Sequence, residues 1–150
     1  MQQHVRRCAV AAVALAAVVL ALPASAAEIG RIKTARGQVV VERDGAVRPA
    51  SVGMRVQAAD SIRTGDDAAV GITMDDDSLL SAGPNTVLVL STYAFDPTTN
   101  QGRLDAAVNK GTLAVVSGRI AKQSPDAMTV RTPTAVLGVR GTTFAVQVNE

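Results

Sequence analysis

Ala68-Ala69-Val70-Gly71-Ile72-Thr73-Met74, followed by Asp75-Asp76-Asp77 and then Ser78-Leu79-Leu80-Ser81, is the stretch on which the fold turns. Successive side chains of an extended strand point to opposite faces, so Val70, Ile72 and Met74 share one side and Ala69, Gly71 and Thr73 the other. The first set is core and the second faces outward. The three aspartates are turn chemistry, and an apolar run resumes immediately after them. Strand, turn, strand is the unit this implies.

The same unit repeats in both directions. Upstream, Glu28 to Ala35 and Gln38 to Arg43 are expected strands, and Asp44-Gly45 accepts the positive φ of a tight hairpin turn into Ala46 to Pro49. Met54 to Gln57 and Ser61 to Thr64 follow. Downstream come Ser78 to Ser81 and Thr86 to Ser91, where Val87-Leu88-Val89-Leu90 is apolar on both faces and reads as the most buried strand. Arg103 to Asn109 and Thr112 to Ser117 look like a hairpin closed at Lys110-Gly111. Met128 to Arg131, Ala135 to Leu137 and Thr142 to Val148 complete the set. Asp96 to Gly102 and Lys122 to Asp126 read as exposed loops, and no helix is expected in the pattern. Short strands with turns about every ten residues indicate an all-β domain, either a compact sandwich or a short β-solenoid.

The first residues read differently. Arg6-Arg7, an apolar run to Leu22 and Ala24-Ser25-Ala26 have the layout of an export signal, with cleavage expected between Ala26 and Ala27. The apolar run from Cys8 to Leu22 falls short of the about 20 residues a membrane helix needs. The expected organisation is therefore a signal peptide over 1–26, one domain over 27–150, and no stable membrane span after cleavage. Retention of the leader as an anchor is the competing arrangement. Cys8 lies too early in the run for lipid attachment at the cleavage site.

Cleavage would remove Arg6 and Arg7 from 15 Lys plus Arg, leaving 13 against 13 Asp plus Glu. A neutral domain without a basic block is not expected to bind nucleic acid. The sole cysteine, Cys8, and the sole histidine, His4, would also be lost. That excludes a structural disulfide, a Cys/His metal site and nucleophile–histidine pairs. Paired carboxylates cleave glycosides without histidine, but here the acids cluster in turns, so the chain is expected not to be an enzyme. Asp66-Asp67 and Asp75-Asp76-Asp77 lack the regular spacing of a calcium loop, and neither metal nor cofactor is expected. Tyr93 and Phe95 lie on the same side of a strand and are expected to cap the core.

Seven ordered pieces carry a resemblance: Gly37-Gln38-Val39-Val40-Val41, Asp60-Ser61-Ile62-Arg63-Thr64-Gly65, Asp76-Asp77-Ser78-Leu79-Leu80, Gly83-Pro84-Asn85-Thr86, Gly111-Thr112-Leu113-Ala114-Val115, Val130-Arg131-Thr132-Pro133-Thr134-Ala135 and Val139-Arg140-Gly141-Thr142-Thr143-Phe144. Together they resemble the FecR domain, and the last pair is the most specific. One departure stands at Asp77, where the family has glycine; aspartate tolerates a left-handed backbone better than most residues.

The resemblance implies a bacterial periplasmic β module that in its best-known members receives a signal from an outer-membrane receptor and controls a sigma factor. This chain is expected to lack the helical cytoplasmic segment, so only the module carries over. An envelope protein is the expected partner of this periplasmic or secreted chain. Peptidoglycan or another envelope polysaccharide is the alternative, and a tethered regulator the third arrangement. Among the motif residues, Arg140 is expected to pair with a buried carboxylate such as Asp60. The others singled out as structural or interaction residues are Thr64, Gly65, Gly83, Pro84, Gly111, Thr132, Pro133, Gly141, Thr142 and Phe144.

Overall fold

The computed structural model describes residues 26–141 and 143–149. Most of the expected leader, including Ala24, and Thr142 of the last motif lie outside the described residues. Ala26 and Ala27 are exposed, directly ahead of the first strand.

Twelve strands run in chain order: β1 (Glu28–Arg36), β2 (Val39–Arg43), β3 (Ala46–Pro49), β4 (Arg55–Gln57), β5 (Ser61–Thr64), β6 (Ala69–Met74), β7 (Leu79–Ala82), β8 (Val87–Phe95), β9 (Gly102–Val116), β10 (Met128–Arg131), β11 (Val136–Gly138) and β12 (Thr143–Val148). They form one sheet, ordered β3-β2-β5-β8-β9-β7-β6-β1-β4, with β10 and β12 attached to β9 and β11 to β10. Neighbours are antiparallel except β9 with β10. The chain is all-β, and the sheet curls around a single aliphatic core rather than stacking in parallel coils.

The alternation of Ala68 to Met74 is realised in β6. Val70, Ile72 and Met74 are buried while Ala69 is exposed and Gly71 and Thr73 are half-buried. Each fully buried branched side chain contributes about 1.5–3 kcal/mol of transfer free energy. Asp44 and Gly45 both take positive φ, 51° and 77°, in the hairpin between β2 and β3. In β8, Leu88 and Leu90 are fully buried, but Val87 and Val89 are only half-buried, so one face rather than both carries the core.

The expected hairpin at Lys110-Gly111 does not form. β9 is one strand of 15 residues that belongs to both halves of the sheet. Its first part lies between β8 and β10, its second between β7 and β12. Leu104, Ala106 and Val108 point into the core before residue 109, and Leu113 and Val115 after it. That change of parity requires one extra residue, because a strand alternates strictly. Leu88 pairs with Val108 and Val87 with Lys110, so Asn109 is the residue skipped. Gly111, at φ 89°, completes the bulge. A Cβ there would collide with Thr86 and the Asn85 carbonyl.

A second difference is helical. Arg119–Gln123 forms a short helix, α1, followed by a 3-10 turn at Pro125–Ala127. Ile120 and Ala121 are buried, so α1 closes one end of the core. A single turn and a half is too short to display a helical period in the sequence.

Candidate functional site

The motif residues gather in four places, and the chemistry differs in each. At the first, Asp60 is fully buried and its partner is Arg43, not Arg140. Arg43 donates from Nε to Oδ1 and from Nη2 to Oδ2, both at 2.7 Å, and also from Nη2 to the Arg55 carbonyl at 3.0 Å. The backbone N–H of Gln57 supplies a third bond to Asp60 at 2.8 Å. The hydrogen bond to Asp60, with Coulomb attraction to the same carboxylate, outweighs burial and holds the guanidinium pKa above its ordinary value. Arg140 is exposed, next to Gly141 at φ 39° where the chain turns between β11 and β12. The expected Arg140–Asp60 pair does not form, because Arg43 already occupies both carboxylate oxygens. Nothing in the sequence marks Arg43 for this role.

The second place is a corner where Thr64, Gly65, Gly83, Pro84, Thr86 and Gly111 meet. Thr64 Oγ1 donates to the Gly83 carbonyl at 2.6 Å and accepts from Thr86 N–H at 2.9 Å. Thr86 Oγ1 in turn reaches the Pro84 and Thr112 carbonyls, each at 3.2 Å, and accepts from Thr112 N–H at 3.0 Å. Asn85 N–H donates to the Gly65 carbonyl. The hydroxyls satisfy backbone groups that the β9 bulge would otherwise leave unpaired. This corner builds the fold and presents no reactive group.

The third is the turn at Asp76-Asp77-Ser78, whose run of aspartates would ordinarily face solvent. Asp76 is instead fully buried. It accepts from Ser78 Oγ at 2.7 Å, Ser78 N–H at 3.2 Å and Ile120 N–H at 3.3 Å, while Ser78 Oγ accepts from Gly118 N–H at 2.9 Å. The turn thus fastens α1 to the sheet. Tyr93 closes it from the other side, its hydroxyl accepting from Asp76 N–H at 2.9 Å. Burial, and then the Asp76 charge, raise the phenol pKa well above its ordinary value. Asp77 takes φ 66°, the left-handed conformation expected where the family has glycine. Arg119 sits 4.9 Å over the Phe95 ring and 3.0 Å from Asp77 Oδ2, close enough to attract but not aligned as a hydrogen bond. No three metal-ligating side chains converge among the described residues.

Family membership follows from the chain itself. A family described as FecR protein matches residues 60–150, well over half of the sequence. The chain belongs to the FecR family. No curated protein and no solved structure matches it. FecR proteins are bacterial, envelope-associated signalling and regulatory proteins. Six of the seven ordered pieces lie inside the match, and Gly37 to Val41 lies before it. The earlier residues are nonetheless woven into the same sheet, since β1 pairs with β6 and β2 with β5.

Two FecR motif pieces flank the remaining site. Thr132 N–H donates to the Ala135 carbonyl at 2.8 Å and Thr132 Oγ1 accepts from Ala135 N–H at 3.0 Å, which shapes the Pro133 turn between β10 and β11. With Lys110, Gln147 and Asn149 this turn lines a shallow cleft of about 230 Å³ beside the end of β12. Phe144 lies on β12, half-buried against the core. Among the described residues β12 pairs with β9 and with no strand on its other side.

Proposed function

We propose that this FecR-family chain is a non-enzymatic interaction module of the bacterial envelope, working in the periplasm or after secretion, and that it captures an envelope protein by adding a strand of that partner to β12. The observation that carries this reading is the unprotected edge. Natural edges are blunted by proline, charge or brevity. β3 ends in Arg48-Pro49, β4 is three residues long and carries ion-paired Arg55, and β11 is three residues long. β12 is six residues of Thr-Phe-Ala-Val-Gln-Val, without charge or proline. An edge of that kind suits β-augmentation, in which main-chain hydrogen bonds supply affinity and alternate side chains supply selectivity.

The test is capture from an envelope extract by the chain with β12 intact and by Ala145→Pro and Val146→Pro variants. Whichever proline falls on an outward-facing N–H blocks strand addition while leaving the ladder to β9 in place. Loss of a captured protein with that folded variant supports the reading. Capture unaffected by both prolines, or retention on purified cell wall instead of on a protein, overturns it.

A further inference from the structure

A second surface lies further along the same sheet, its floor three strands from β12. The registers of β1, β6, β7, β9 and β12 align their outward residues in rows. One row runs Arg31, Thr73, Leu79, Val116, Thr143, and the next runs Thr34, Gly71, Ser81, Ala114, Ala145. Along β6 the outward residues Ala69, Gly71 and Thr73 are all small, whereas β1 beside it carries Arg31, Lys33 and Arg36. The result is a trough with β6 as floor, a cationic wall on β1, and Leu79 and Ser81 of β7 as the other wall. Three adjoining depressions follow it from the Thr73 end to the Ala69 end, sharing Lys33, Thr34, Gly71, Thr73 and Ser81.

Leu79 and Val116, 36% and 42% exposed, are direct cross-strand partners and leave an apolar shelf beside the trough. Arg31, Lys33 and Arg36 have no ion-pair partner among the described residues. Carboxylates stand at both ends and not along the middle: Asp75 and Asp77 at the Thr73 end, where they approach Arg55 and Arg119, and Asp66 and Asp67 just beyond Ala69. Thr73 also has a hydroxyl that lacks any hydrogen-bond partner.

From these features we infer that the trough binds an extended acidic peptide segment of another protein. β6 has six residues and so spans about 20 Å, the length of six extended residues of a ligand, and the walls stand about 10 Å apart, two strand spacings. Alternate side chains of an extended ligand repeat every about 7 Å, which lets carboxylates on one of its faces meet the β1 cations. Its other face, of small residues, rests against Gly71, Ser81 and the Leu79–Val116 shelf. An acidic glycan would share the charge but not the floor: Tyr93, Phe95 and Phe144 all lie elsewhere, so no aromatic ring is present for a sugar to stack on.

The inference stands apart from the β12 reading and is tested separately. The probe is a fluorescent peptide of about eight residues alternating glutamate and alanine, followed by anisotropy. The expected result is saturable binding that weakens with salt, falls at least about tenfold in Lys33→Glu/Arg36→Glu, and is lost in Ser81→Trp, which fills the trough without changing charge. All three substituted positions are solvent-exposed, and thermal melts confirm that both variants fold. An alternating lysine–alanine peptide should not bind. Absence of saturable binding, binding indifferent to either folded variant, or tighter binding of polygalacturonate than of the peptide overturns the inference.

Discussion

Removing the Arg43 guanidinium is the sharpest test of how this fold is held. Arg43→Ala deletes two charge-assisted hydrogen bonds of 2.7 Å to Asp60, which is fully buried, and one to the Arg55 carbonyl. Bonds of that type contribute about 1.5–3 kcal/mol each net, and breaking a buried pair by removing one partner costs about 3–5 kcal/mol. Two features pull the expectation to the lower half of that range: Gln57 N–H still serves Asp60, and the Arg43 side chain is 22% exposed. The expected loss is therefore about 3–4 kcal/mol, a large part of the about 5–15 kcal/mol typical of a domain. Urea titration with the slope held fixed reads this as a fall in midpoint of about 1–4 M. Arg43→Lys keeps the charge but not the fork and should fall in between. Arg140→Ala, at an exposed turn, should stay within about 0.5 kcal/mol of the unsubstituted chain. A loss below about 1 kcal/mol for Arg43→Ala, or a larger loss for Arg140→Ala, refutes the assignment of Arg43 as the partner of Asp60.

Three further outcomes are expected. Gly111→Ala places a Cβ against Thr86 at a positive φ and should destabilise by about 3 kcal/mol or more, seen as a lowered melting temperature; an unchanged melt would mean the bulge is not as described. Asp76→Ala strips acceptors from Ser78 and Ile120 N–H groups in a buried site and should cost about 3 kcal/mol, with loss of helical hydrogen-exchange protection over Arg119–Gln123. Tyr93 is the sole tyrosine, so its titration can be read directly by ultraviolet absorbance. Its folded pKa is raised above the unfolded value, so its stabilisation is complete below about pH 10 and declines as pH rises beyond, by up to about 1.4 kcal/mol per unit. Tyr93→Phe should lack that decline in denaturation curves measured on either side of pH 10, and a tyrosinate absorbance rising at about pH 10 in the folded protein would contradict the shift.

Much of the architecture was legible because alternation is a local signal. Ala46–Pro49, Ser61–Thr64 and Met128–Arg131 fall where the pattern puts them, as do the buried Val70, Ile72 and Met74. The β9 error came from taking glycine after lysine as a hairpin turn. The corrective signal was present: apolar positions are even at 104, 106 and 108 and odd at 113 and 115, which a continuous strand accommodates only with a bulge. The partner of Asp60 was not legible, since Arg43 lies 17 residues away and is brought close by the β2–β5 pairing. The buried state of Asp76 was hidden for a similar reason, because it depends on α1, 44 residues downstream. The trough was equally invisible, being a property of three adjacent strands in register.

The strand shared by both halves makes the molecule mechanically indivisible. A nick at Asn109 would leave each part of β9 its hydrogen-bonded neighbours but sever the strand that ties the two halves of the sheet together. In the intact chain, opening should accordingly spread across both halves of the sheet instead of peeling from one side, and a pull applied along β9 would load β7, β8, β10 and β12 together.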